Sequence, residues 1–173
     1  MKSTRIIILS FLAIFLCFSA FGQKNVAKKS KKAIKAFKKA DPKIIKYFDS
    51  AYGYAMFPRV GKGGIGIGGA FGNGTVYKGG EQVGVCRLKQ VSIGFQFGGQ
   101  KYSELIFFEN EASYERFVSS DFEFAAQVSA VALASGVSEN AKYRNGIMVF
   151  TRAIGGLMYE AAVGGQKFKV NLY

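Results

Sequence analysis

Residues 61–77 read GKGGIGIGGAFGNGTVY, and this alternation of glycine with apolar side chains indicates β-strands, because strand side chains alternate with a period of two. Residues 82–97 continue the alternation. Glycine-containing pairs at Asn73-Gly74, Gly79-Gly80 and Gly98-Gly99 have hairpin chemistry and predict sequential antiparallel pairing. In residues 82–97, the side chains predicted to share one face are Val83, Val85, Arg87, Lys89, Val91, Ile93, Phe95 and Phe97.

Glycine is concentrated in this part of the chain, with 14 of the 22 glycines between Gly61 and Gly99. Glycine weakens an isolated strand, so this density indicates tight sheet curvature, bulges, or another backbone or a ligand that presses on a strip without side chains. Of these, we favour curvature. One internal helix is predicted at residues 110–118, capped by Asn110. Further strands are predicted at residues 54–57, 102–108, 122–134, 146–152, 157–163 and 166–170. The predicted fold class is α+β, with a curved antiparallel sheet or a partly closed barrel.

Two helices are predicted before the sheet. Residues 25–40 have a helical period that separates an apolar arc from a lysine row. Asp41 is the predicted N-cap, and Pro42 the first residue, of a short second helix that offers Ile44, Ile45 and Phe48 to a core. The apolar arc contains Val26, Ser30, Ala33, Ile34, Phe37 and Ala40, and the lysine row contains Lys28, Lys31, Lys32, Lys35, Lys38 and Lys39.

The positive charge is concentrated near the N-terminus. Residues 24–46 contain ten lysines and one aspartate, whereas residues 47–173 contain twelve basic and ten acidic residues. A surface of one sign attracts partners of the other, so we expect an anionic partner.

Residues 1–22 have a basic start, an apolar run and small residues at the end, which is typical of a signal peptide cleaved before Gln23. We expect an exported protein, periplasmic or extracellular and peripheral to a membrane; the alternative is an uncleaved signal anchor, since lysines follow the run directly. Residues 23–50 and 51–173 are expected to form one domain.

The chain has no histidine, which removes the commonest general base and the commonest zinc ligand. Cys86 is the single cysteine after the leader. The glycines at 64, 66 and 69 match a dinucleotide-binding pattern, but no helix follows them. The carboxylates have no spacing that singles out a catalytic pair. We therefore expect no enzymatic activity, no metal and no cofactor, and secretion makes nucleic acid an unexpected partner.

Residues 52–72 read YGYAMFPRVGKGGIGIGGAFG, in which Phe57-Pro58 is followed by a glycine-rich alternating strand. The later blocks follow in order: IGFQFGGQ at 93–100, LIFF at 105–108, VSAVA at 128–132 and GLMYEAAVGGQKF at 156–168. Together these blocks resemble the SYLF family, also called the Ysc84 or DUF500 domain, whose members carry an A-x-x-x-F-P stretch followed by a glycine-rich alternating strand. The resemblance extends from about residue 28 to residue 168.

The resemblance implies a lipid-binding module, with phosphoinositide binding in eukaryotic members attributed to a basic amphipathic N-terminal helix, and actin binding in the yeast branch. The leader makes actin an unexpected partner here. We hypothesise binding to anionic lipid surfaces through the lysine row, with Ile34 and Phe37 as apolar anchors. The alternative is a protein-interaction or structural module of the cell envelope. Whether the helix docks on its sheet or inserts into a bilayer stays open at this point.

Overall fold

The computed structural model describes residues 24–65, 67–93, 99–119, 122–125, 130–155 and 163–173. Helix α1 covers residues 24–40 and is followed by a 3-10 turn at Pro42–Ile44. The other helices are α2 (Ile45–Ser50), α3 (Glu111–Val118) and a 3-10 turn at Val137–Asn140. The strands are β1 (Gly53–Ile65), β2 (Ile67–Lys78), β3 (Glu81–Ile93), β4 (Gly99–Phe108), β5 (Phe122–Glu123), β6 (Val131–Ala132), β7 (Ile147–Ala153) and β8 (Gln166–Leu172).

The eight strands form one curled sheet in the order β5-β8-β3-β2-β1-β4-β7-β6, a half-barrel, which confirms the α+β class. Strands β1 to β3 pair sequentially and antiparallel as predicted. The prediction that sequential pairing continues beyond β3 is wrong, because β4 pairs with β1 and β8 pairs with the other edge of β3. The all-antiparallel prediction is also wrong, since β6 and β7 are parallel.

The turn predictions had mixed outcomes. Gly79 and Gly80 link β2 to β3 with φ values of 58° and 84°, the left-handed geometry of a two-residue hairpin, so that prediction is confirmed. Asn73-Gly74 was wrong as a turn, because both residues lie inside β2 and pair with Arg87 and Cys86.

The inner face of the sheet is identified by a contact across the curl. The Gln166 amide on β8 donates to the Tyr102 hydroxyl on β4 at 3.2 Å. These strands are four positions apart, about 19 Å in a flat sheet. The sheet therefore bends until its inner side chains meet. The inner core includes Phe57, Leu88, Phe108, Phe117 and Phe168.

The outer face is covered over part of its area by the N-terminal helices. Its core joins Phe37 of α1 and Ile44 to residues of β1, β4 and β7. The short second helix is confirmed with Asp41 as N-cap. The prediction that Ile45 is buried is wrong, because this side chain is 40% exposed and Tyr47 packs inward instead.

The remaining elements agree with the sequence at their strongest signals. Helix α3 has the predicted Asn110 cap, completed into a capping box by Ser113. The strand predicted at 122–134 is wrong as one element, since the described residues there contain only the two-residue strands β5 and β6. The leader at 1–22, Gly66 and most of the strand predicted at 157–163 lie outside the described residues.

Glycine is required where backbones approach one another. A Cβ at Gly74 would lie 2.6 Å from the Met56 carbonyl oxygen and 2.8 Å from the Phe57 ring. A Cβ at Gly61 would meet nothing within 4 Å. Close packing inside the curl therefore explains why residue 74 is glycine. At residue 61 the surrounding space would accommodate a side chain.

Candidate functional site

The lysine row lies on the side of α1 that faces away from the sheet. The Lys38 ammonium lies 4.4 Å from the centre of the Phe48 ring, and its side chain is half-buried by this cation–π contact. The other side chains of the row are exposed. They are Lys28, Lys31, Lys32, Lys35 and Lys39.

The apolar arc of α1 docks on the protein's own sheet. Phe37 is fully buried in the outer core, and Ala33 and Ile34 pack against the same core at its edge. The Ser30 hydroxyl, also fully buried, donates to the Met56 carbonyl at 3.4 Å. Of the two predicted apolar anchors, Phe37 therefore has no exposed surface in this arrangement and Ile34 is partly exposed.

A buried carboxylate fixes the end of α1. The Oδ2 atom of Asp41 accepts from the backbone amide of Ser138 at 2.8 Å and from its hydroxyl at 2.6 Å, and Oδ1 accepts from the Lys43 amide at 3.1 Å. Burial alone would raise the pKa of Asp41, but hydrogen bonds from Ser138, Lys43 and Gly136 outweigh it and lower the pKa. Asp41 is therefore ionised and fully hydrogen-bonded at neutral pH.

The same segment holds α2. The Tyr47 hydroxyl shares its proton between the carbonyls of Ser138 and Ala141, each at 2.8 Å. Lys43 forms an exposed ion pair with Glu139. We call this set of contacts the helix clamp. Sequence reasoning missed it, because its two sides lie more than 90 residues apart.

A second polar group lies in the inner core. Glu104 on β4 is fully buried, and its Oε2 atom accepts from the Gln166 amide at 3.1 Å. Burial raises the pKa of Glu104 to about 8, partly offset by this hydrogen bond. Oε1 has no hydrogen-bond partner within the described part of the chain. Glu104 is thus largely protonated at pH 7. Its sequence signal is a single Glu within the Leu and Phe residues of a strand, and spacing alone did not distinguish it from the other carboxylates.

Cys86 is buried on the inner face, and burial raises its pKa well above the usual thiol range. Such a thiol is a poor nucleophile and a poor metal ligand. Across the described ranges, the structure contains no group of three or more side chains that suits a metal ion.

A cavity of about 590 Å³ opens beside β5 and β7. Its wall combines the apolar side chains of Phe122, Phe124 and Met148 with the cations of Lys142 and Arg144. Sequence reasoning missed this cavity too, since its walls come from short segments without a periodic pattern.

The fold and surface define an α+β half-barrel that carries a basic helix docked on its outer face. No protein-family model matches the chain. The chain is similar to the protein named Beta cell expansion factor A of Aeromonas veronii, with 26% identity over 133 residues. The matched region covers 72% of this chain and 48% of that relative, so the chain spans about half the relative's length. None of the described helices is long and apolar enough to cross a membrane.

Proposed function

We propose that this protein binds anionic lipid surfaces without catalysing a reaction, as a member of the SYLF family. The proposal depends on one observation: α1 docks through its apolar arc while the lysine row stays at the surface. Lysines near an anionic bilayer contribute about 1 kcal/mol each, so a few of them hold a protein at a membrane. The position of the predicted leader supports an exported protein that meets such surfaces outside the cytoplasm.

The docked helix favours contact at the level of the lipid headgroups. Phe37 stabilises the docked state, so its use as a membrane anchor requires release of α1 from the sheet and opening of the outer core. Ile34 lies at the edge of the outer core, so it loses less buried surface when α1 is released. We propose that the lysine row makes the first contact and that insertion of Ile34 and Phe37 is a later step.

Charge reversal tests the lysine row. Lys31→Glu/Lys35→Glu changes two exposed side chains on α1, and Lys142→Glu/Arg144→Glu makes the same change of net charge on two exposed side chains near β7. The measurement is co-sedimentation with phosphatidylcholine vesicles, with and without phosphatidylglycerol, at rising salt. Loss of about 2 kcal/mol predicts binding at least about 30-fold weaker for the helix variant, and an affinity close to wild type for the control.

Equal weakening of both variants would contradict a site on α1 and leave only an effect of net charge. Absence of binding to phosphatidylglycerol vesicles by the wild-type protein would contradict lipid binding altogether and favour the envelope interaction module. Salt dependence separates the two steps, because Coulomb attraction is screened by salt whereas insertion of Ile34 and Phe37 is nearly indifferent to it.

A further inference from the structure

A second basic surface lies on the outer face of the sheet, beyond the area that the helices cover. Residues directly opposite one another on neighbouring strands share a face. One such row crosses β4, β1, β2, β3 and β8 and is fixed by the pairing of these strands. It consists of Lys101, Gly61, Phe71, Lys89 and Lys167.

A second row runs beside the first and lies two residues away along each strand. Asn73 on β2 pairs with Arg59 on β1 and with Arg87 on β3, and Arg87 pairs with Lys169 on β8. Their chain neighbours, such as Leu88 and Phe168, are buried in the inner core, so both rows point outward. Arg152, paired with Ser103, continues this row on β7.

These two rows polarise a body whose net charge is small. Residues 47–173 contain twelve basic and ten acidic residues. The rows hold seven of the twelve: Arg59, Arg87, Lys89, Lys101, Arg152, Lys167 and Lys169. Among the described residues opposite them, the acidic side chain is Glu123, whose carboxylate lies 3.3 Å from the Lys167 ammonium. Charge counts along the chain do not reveal this cluster of positive charge, because the register of the strands brings its residues together.

Apolar side chains project from the same surface. Phe71 is 49% exposed between Gly61 and Lys89, and glycine at 61 leaves one side of its ring uncovered. Val91, two residues beyond Lys89 on the same face of β3, is 78% exposed. Exposed apolar groups surrounded by cations are the composition of surfaces that lie in a bilayer interface.

Helix α1 lies on the same side of the sheet. Met56, which the Ser30 side chain contacts, sits on the outer face of β1 one row before Arg59. The lysine row and the two strand rows therefore belong to one side of the molecule. We call the seven cations of the rows with Phe71 and Val91 the outer basic face.

We propose that the outer basic face is a second membrane contact, which rests on the anionic bilayer of the proposed function and places Phe71 and Val91 among the lipid headgroups. It supplies the exposed apolar groups that the docked α1 does not. An acidic protein would use the cations but not the two exposed apolar side chains. A single-stranded nucleic acid could stack on Phe71, but it would leave Val91, beside Lys89 at the edge of the rows, without a role.

The chain contains no tryptophan, so a single introduced indole reports its own surroundings. Phe71→Trp places the reporter on the outer basic face, and Leu172→Trp places it at a 51% exposed position on the opposite face of β8, in line with Phe168 and Val170. With phosphatidylcholine–phosphatidylglycerol vesicles, we expect a blue shift of emission and quenching by brominated lipids for Phe71→Trp, and neither for Leu172→Trp. Val91→Trp provides a second reporter with the same expectation.

Charge removal gives an independent measurement. Arg87→Gln/Lys89→Gln takes one Arg and one Lys from the outer basic face, and Lys142→Gln/Arg144→Gln takes the same pair from elsewhere. We expect the first variant to bind these vesicles about tenfold or more weakly than the second. Both keep the thermal midpoint, since all four side chains are exposed.

Vesicle binding by the Phe71→Trp and Val91→Trp variants with unshifted, unquenched tryptophan emission would overturn this inference and leave the lysine row as the contact. Equal affinities of the two charge variants would also overturn it. Lack of any vesicle binding would refute the inference and the proposed function together. Binding of an oligonucleotide that depends on Arg87 and Lys89, without vesicle binding, would assign the face to nucleic acid instead.

Discussion

A pair of glycine-to-alanine substitutions tests why this sheet is rich in glycine. Gly74 lies inside β2, where a Cβ would sit 2.6 Å from the Met56 carbonyl oxygen, 2.8 Å from the Phe57 ring and 3.0 Å from the Cys86 sulfur. Backbone and sulfur cannot move aside as a flexible side chain can. Gly61 lies on the neighbouring strand with open space around its missing Cβ.

The expected free-energy changes have opposite signs. Overpacking a tight core costs about 1–3 kcal/mol, so Gly74→Ala should lower the unfolding free energy by that amount. Gly61→Ala removes only the conformational freedom of glycine in the unfolded chain, which stabilises by about 0.4–1 kcal/mol. The two variants should therefore differ by about 1.5–4 kcal/mol. In a domain of this size the midpoint of thermal unfolding shifts by about 2–4 °C per kcal/mol.

Urea unfolding monitored by circular dichroism measures the difference. The denaturation midpoint should fall for Gly74→Ala and hold or rise for Gly61→Ala, with an unchanged m-value for both. Equal stability of Gly74→Ala and the wild-type protein would refute the close-packing explanation. A loss in Gly61→Ala as large as that in Gly74→Ala would show that strand glycines matter here for some reason other than space.

Four further outcomes are expected. The raised pKa of Glu104 means that the folded state holds a proton which the unfolded state releases, so stability should fall as pH rises from about 4.5 towards 8, and Glu104→Gln should flatten that slope in urea titrations. The lowered pKa of Asp41 acts in the opposite sense: its contribution is present above the usual aspartate pKa and is lost as pH falls through the lowered value. Asp41→Ala, which leaves the Ser138 donors unpaired, should cost about 2–4 kcal/mol at pH 7 by the same assay. Cys86 should resist a thiol reagent in the native protein and react fully in urea; rapid labelling of the native state would contradict its burial. Mass spectrometry of the exported protein should find Gln23 at the N-terminus, and retention of the leader would favour the signal anchor.

Local patterns predicted the features that depend only on neighbours in the chain. The Asn110 cap, the Gly79-Gly80 turn and the Asp41-Pro42 start were all readable within a few residues. The face of a strand that is buried could not be predicted in this way. Alternation along β3 correctly grouped Val85, Arg87, Lys89 and Val91, but Cys86 and Leu88 on the opposite face form the core. Periodicity tells which residues share a face, and only the curl decides which face is inside.

The candidate site divides in the same way. The lysine row was predictable because a helical period places it on one side of α1. The helix clamp was not, since Asp41 and Ser138 are 97 residues apart. The outer basic face was equally hidden, because strand register alone brings Arg59, Arg87 and Lys169 into line.

The shortness of β5 and β6 has a consequence for a protein concentrated on a surface. Each of these end strands pairs with only two residues of its seven-residue neighbour, β8 or β7, so among the described residues most of the outer edge of β8 and of β7 has no strand partner. A sheet edge that is long and flat recruits strands from neighbouring molecules and starts aggregation. Copies of this half-barrel held side by side at high local density therefore bring such edges close together, and the curl of the sheet, which keeps the edges from being flat, limits strand addition between them.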